Sequence, residues 1–223
     1  MPPTAKAKLT KRGAATRRRI IEGAARLVLA NGVAGTSLDE VMAEAGVSKS
    51  QLYHYFADKD AIVAEVIRLQ VESVLAAQSR DLDVIDSMRA LRRWRDSIVR
   101  LSGVHGGKAG CPIGSLASEL ANRSEAARGM LVDGFEAWGC RIEAGLAKMR
   151  DRGELATTAD VKELSIAILG AVQGGLLLAK ATRTVRPVEL MLDMALARVE
   201  QHLASTQARR RRRRPPGAVT PRA

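Results

Sequence analysis

Aromatic residues are almost missing from this 223-residue chain: two Trp, two Tyr and two Phe make up 3% of it. A core without them must be packed from aliphatic side chains. At 46% hydrophobic, the chain can bury one sizeable core, or form a small domain fused to a larger one. Cysteine is equally scarce, and Cys111 with Cys140 makes no disulfide framework. The three histidines, His54, His105 and His202, are scattered without metal-ligand spacing, so no metal site and no cofactor is expected. No Gly-rich phosphate loop follows a strand, and no nucleophile, base and orienter recur in a familiar arrangement, which argues against an enzyme. The first 20 residues are basic and lack the apolar segment of a secretory signal. The longest apolar stretch, Leu164–Ala179, is 16 residues broken by Gly170, Gln173, Gly174 and Gly175, short of a membrane span. These absences predict a soluble, cytoplasmic protein with no membrane partner.

What the chain does have is positive charge, and it sits at the ends. The formal net charge is +12, from 36 basic and 24 acidic residues. Residues 1–21 hold Lys6, Lys8, Lys11, Arg12, Arg17, Arg18 and Arg19 without an acid, and residues 207–223 hold seven arginines without an acid. The body between them, 22–206, has 22 basic and 24 acidic residues and is close to neutral. Basic ends on a neutral body are the electrostatic footprint of a polyanionic partner, nucleic acid or anionic membrane. For Arg209–Arg214, three readings stand: a nonspecific DNA arm acting through counterion release, an anionic-lipid patch, or an inert solvated tail.

Apolar residues recur at intervals of three and four, and strand alternation is absent, so the predicted fold class is all-α. Helices are expected at about 15–31, 38–45, 48–55, from Asp58 onward, and at 84–102, 114–122, 124–152, 160–182 and 187–205. Ser37 with Glu40, and Ser48 with Gln51, have the spacing of capping boxes, and Gly46 stands where the helix between them should end. A tight pair of short helices buries one face on a third helix and presents its second helix outward. Leu38, Val41, Met42, Val47, Leu52 and Phe56 are the expected inner positions. Lys49, Ser50, Gln51, Tyr53, His54 and Tyr55 are left to project. Three of the six aromatic residues, Tyr53, Tyr55 and Phe56, therefore fall on this motif, Phe56 as core and the tyrosines as surface. Lys and hydroxyl groups suit phosphates, and Gln can pair bidentately with adenine in a major groove.

The stretch TRRRIIEGAARLVLANGVAGTSLDEVMAEAGVSKSQLYHYFADKDAIVAEVI, residues 16–67, resembles the DNA-binding domain of the TetR family of bacterial repressors. The resemblance implies that Thr36 and Ser37 bind backbone phosphate, with Ser48 starting the recognition helix. Lys49, Ser50, Gln51 and His54 would lie at base edges, and Tyr53, Tyr55 and Lys59 would hold phosphates. The segment GCPIGSLASELANRSEAAR, residues 110–128, is similar to the LmrA/YxaF-like branch, whose members control efflux or detoxification genes.

The implied organisation is a disordered basic arm (1–12), an N-terminal three-helix DNA-binding domain with its helix-turn-helix at about 36–55 (13–73), a larger helical effector-binding and dimerisation domain (74–206), and a disordered Arg-rich tail (207–223). In the family, Trp94, Phe135 and Trp138 would sit on helices around a ligand cavity, though ordinary core explains each as well. Met88, Leu91, Ile98, Cys111, Leu116, Met130 and Gln173 complete the candidate lining for a small, mostly apolar effector, methionine suiting a tolerant pocket. Gln173 is the amide of the apolar stretch, and ligand, water or dimer mate could each satisfy it. Glycines 170, 174 and 175 permit close helix approach and favour a homodimer through about 160–205. Cys111 could sense redox state, although only Lys108 and His105 beside it would depress its pKa. The expected partners are a double-stranded, near-palindromic DNA operator, the effector and a second copy of the chain. The alternative is a basic architectural DNA-binding protein that needs no effector.

Overall fold

A computed structural model describes residues 10–104 and 106–204. The basic arm up to residue 9, His105 and the arginine-rich tail lie outside the described residues. Among the described residues there are nine α-helices and no strand: α1 (Lys11–Asn31), α2 (Leu38–Ala45), α3 (Lys49–Tyr55), α4 (Lys59–Leu82), α5 (Met88–Val104), α6 (Pro112–Leu120), α7 (Glu125–Asp151), α8 (Val161–Thr182) and α9 (Arg186–Glu200). The all-α expectation holds. Helix α1 starts four residues before the predicted position, inside the segment read as a disordered arm, because the Thr10 hydroxyl accepts the Gly13 N–H at 3.1 Å and caps it. Helix α5 starts four residues late. Ser87 caps it through the Ala90 N–H, leaving the buried Ile85 in the preceding turn and Leu101 exposed. Helix α9 ends five residues early, and an isolated bridge between Leu155 and Leu203 follows it.

Internal contacts divide the chain into two units. The first takes the chain up to Ser73 together with Pro112–Gly134, so α6 and the start of α7 group with α1–α3 and the first part of α4. Its core is aliphatic, as the scarcity of aromatics requires. Ile20, Ala24 and Val28 of α1 are buried with Val41 and Leu52 of the two short helices, and with Ile62, Val66 and Ile67 of α4. Phe56 is buried too, with the Arg17 guanidinium 5.3 Å from its ring centroid and 2.8 Å from the Glu65 carboxylate.

The second unit comprises Val74–Cys111 and the chain from Phe135 onward. Leu91, Trp94, Ile142, Leu146, Met149, Ile168, Val172 and Leu192 form its buried centre. Arg92 reaches Glu200 at 2.5 Å and Arg95 reaches Asp193 at 2.9 Å, tying α5 to α9. Helices α8 and α9 form a tight hairpin. A Cβ on Gly175 would meet the Val188 Cα at 2.9 Å, so this glycine serves packing within the chain and not approach of a second copy. A Cβ on Gly170 would meet nothing within 4 Å, and that face of α8 is open. Helix α8 also extends past the apolar stretch at both ends. By length and composition alone, with a mean hydropathy of 1.7, it is long and apolar enough to cross a bilayer, against the expectation from sequence.

Candidate nucleic-acid interface

Both predicted capping boxes are formed. At α2 the Ser37 hydroxyl accepts the Glu40 N–H at 3.2 Å, and the Ser37 N–H donates to the Glu40 carboxylate at 2.7 Å. At α3 the Ser48 hydroxyl accepts the Gln51 N–H at 3.2 Å, and the Ser48 N–H donates to Gln51 Oε1 at 3.0 Å. Between them Gly46 adopts a left-handed conformation (φ 62°), and the Val47 N–H returns to the Met42 carbonyl at 3.1 Å. With the Gly46 N–H donating to the Ala43 carbonyl at 3.3 Å, this closes α2 in a Schellman motif and turns the chain directly into α3.

The result is a short helix capped at its N-terminus with one face exposed. Leu52 is completely buried, whereas Lys49, Ser50, Gln51, Tyr53 and His54 are exposed, Tyr53 by 47%. Among the described residues no carboxylate lies within ion-pair distance of Lys49. Tyr55 is half-buried, and its ring meets that of His54 edge-on at 4.8 Å. A positive charge, two hydroxyls, an amide and an imidazole thus project together from one helix, with chemistry suited to phosphates and base edges.

Three residues of the predicted set stand differently, the first being Ser37, whose hydroxyl donates to the Glu40 carboxylate at 2.8 Å. Thr36 is only 3% exposed, and its hydroxyl donates to the Gly32 carbonyl at 2.7 Å. The Lys59 ammonium donates to the Val33 carbonyl at 2.6 Å. The Thr36 hydroxyl proton and one of the three Lys59 ammonium protons thus support the turn between α1 and α2. The same turn receives a residue that sequence reasoning missed. Glu119 of α6 accepts the Val33 N–H at 2.8 Å and the Ala34 N–H at 2.6 Å.

The predicted effector-lining residues divide between the units. Leu116 is buried in the first, which also contains Met130, half-buried. In the second, Met88, Leu91, Trp94, Ile98, Cys111 and Trp138 are buried, and Phe135 and Gln173 are half-buried. Trp94 is satisfied core: its indole N–H donates to Gln78 Oε1 at 3.1 Å. The indole N–H of Trp138, itself 1% exposed, and the amide nitrogen of Gln173 are buried without an acceptor. Gln173 shares the spacing of Ile166, Gly170 and Leu177, which puts it on the open face of α8. Among the described residues no group of three or more His, Cys, Asp or Glu is placed to hold a metal ion.

Glu40 supplies a titratable element. Hydrogen bonds from the Ser37 N–H and then the Ser37 hydroxyl hold its carboxyl below the ordinary value of 4.5, with a smaller contribution from the Lys59 charge. A depressed folded-state value means the folded protein binds fewer protons than the unfolded chain. This contribution is therefore complete above about pH 4.5 and is lost as the pH falls through the lower folded value. Glu40→Gln keeps an acceptor for Ser37 but cannot titrate. Its thermal midpoint should trail that of wild type at neutral pH, and the gap should close on acidification. A gap constant with pH would contradict this.

Residues 20–66 match the family described as bacterial regulatory proteins, tetR family, and residues 87–195 match the tetracyclin repressor-like C-terminal domain. The chain is similar to the uncharacterized HTH-type transcriptional regulator YxaF of Bacillus subtilis, 28% identical over 189 residues covering 83% of this chain and 95% of that one. It is also similar to the HTH-type transcriptional repressor DhaR of a Mycobacterium species, 24% identical over 194 residues covering 86% and 94%. In fold it matches a TetR transcriptional regulator from Chloroflexus aurantiacus, with a TM-score of 0.73 at 23% identity over 87% of this chain and 98% of that one. With a capped recognition helix in its first unit and a second unit built of helices, the chain belongs to the TetR family of helix-turn-helix transcriptional regulators.

Proposed function

We propose that this regulator is a cytoplasmic, homodimeric repressor that binds a near-palindromic operator and is released by a small, mostly apolar effector. The observation that carries the reading is the exposed face of the N-capped helix α3, where Lys49, Ser50, Gln51, Tyr53 and His54 are exposed together. Lys49, Ser50, Gln51 and His54 read base edges, and Ser48, Tyr53 and Tyr55 hold phosphates, while the Ser37 donors are spent on the Glu40 carboxylate. Thr36 and Lys59 act one step back, by fixing the turn. The name of DhaR supplies the precedent for repression. The exposed Ile166, Leu177, Leu178, Leu190 and Met194 of α8 and α9 are assigned to a second copy. The Trp138 N–H is assigned to an acceptor atom on an otherwise apolar effector. Release follows if the effector binds more tightly to a dimer geometry in which the two recognition helices no longer match the operator.

The test is the salt dependence of binding to a duplex enriched by the protein from a random pool, and to a scrambled duplex. A selective repressor should prefer the enriched duplex at least about a thousandfold near physiological salt. Equal affinities with equal slopes would favour the architectural alternative, in which charge alone binds.

A further inference from the structure

We infer that Glu119 is a positioning residue for DNA recognition: its carboxylate on α6 latches the turn between α1 and α2, and so sets where the α2–α3 pair stands. The inference rests on the reading that this pair meets DNA. Two backbone donors of the turn, the N–H groups of Val33 and Ala34, point to one carboxylate at 2.8 and 2.6 Å, a charge-assisted two-point grip between residues more than 80 positions apart. The turn is shaped for it. Gly32 is left-handed (φ 76°), and a Cβ there would lie 3.0 Å from Glu119 Oε2. From the other side Lys59 takes the Val33 carbonyl at 2.6 Å, and from within Thr36 takes the Gly32 carbonyl at 2.7 Å. Ser37, the cap of α2, follows at once. A glutamate beside the end of α6 is unfavourable for that helix, whose C-terminal dipole prefers a cation. Its place is accounted for by the turn it holds, not by α6. Movement of α6 must therefore drag the turn or break both hydrogen bonds. If they break, the turn keeps only the Lys59 bond and its internal Thr36 bond, and the start of α2 loses its hold on α6.

The full-length protein with Glu119→Ala, and with Glu119→Gln, separates this role from a merely structural one. The readouts are the backbone amide resonances of Val33 and Ala34, and affinities for the enriched and scrambled duplexes. Glu119→Ala should move both resonances upfield and weaken the enriched duplex about tenfold, the scale of a modest coupling between sites. The scrambled duplex should change less than about twofold, because phosphate attraction does not depend on register. Glu119→Gln keeps one acceptor oxygen and should fall between. Unmoved resonances, unchanged selectivity, or a parallel fall on both duplexes with the thermal midpoint would each overturn the latch. Failure of the wild type to enrich any sequence would overturn the reading beneath it, and the wild-type titration alone shows which has failed.

Discussion

Gln51→Glu is expected to leave the protein at least as stable as before and to relax its preference at particular base pairs. In the free protein Gln51 Oε1 accepts the Ser48 N–H at 3.0 Å and closes the second capping box. Glutamate accepts the same hydrogen bond and adds a negative charge in the first turn of α3, which the helix dipole favours by about 0.3–1 kcal/mol. On DNA the outcome reverses. The amide N–H that would donate to adenine N7 is gone, and a carboxylate is brought among phosphates. Loss of one bidentate base contact is worth about 1–3 kcal/mol, and charge repulsion adds to it. Gln51→Ala loses both roles, so selectivity and stability should fall together, the latter by about 1 kcal/mol. Tyr53→Phe removes only a hydroxyl from an exposed ring and should weaken enriched and scrambled duplexes alike. A Gln51→Glu protein that binds its enriched duplex as wild type does would remove Gln51 from the reading surface.

The second large effect is expected on α8 and α9. Leu177 is 67% exposed and Met194 69% exposed, on helices whose opposite faces are fully buried. In an isolated chain, replacing both by glutamate touches little and should change stability by less than about 0.5 kcal/mol each. In a dimer each side chain occurs twice, and burying one is worth about 1.5–3 kcal/mol. The double variant should therefore sediment as a folded monomer at concentrations where wild type is dimeric, and should lose selective DNA binding, since one half-site alone gives little affinity. A variant that stays dimeric would place the interface elsewhere.

How far these features could be read from the sequence follows from how local their causes are. The two capping boxes and the left-handed Gly46 lie within a few residues of one another, and they placed α2 and α3 correctly. The start of α1 was missed because its cap, Thr10, precedes a polar, basic stretch with no apolar period to announce a helix. Ile85 looked like part of α5 because a buried residue just before a helix keeps the same apolar spacing. The surroundings of Thr36 and Lys59 were hidden for a different reason. Residue type says that a hydroxyl or ammonium can meet phosphate, but only packing shows which carbonyl stands beside it. Trp94 and Trp138 carried the same reading, core or cavity lining, and they separate only because Gln78 stands beside one of them. Glu119 left a single faint trace, an acid beside a helix C-terminus, and nothing nearby named its partner.

The central claim is that two copies of α3 read one operator. The most direct test is selection of duplexes from a random pool by the purified full-length protein, followed by sequencing. The account predicts an inverted repeat whose half-sites lie about one helical turn, roughly 10 base pairs, or a multiple of it apart. Enrichment of a single unrepeated motif, or of no motif at all, would contradict it.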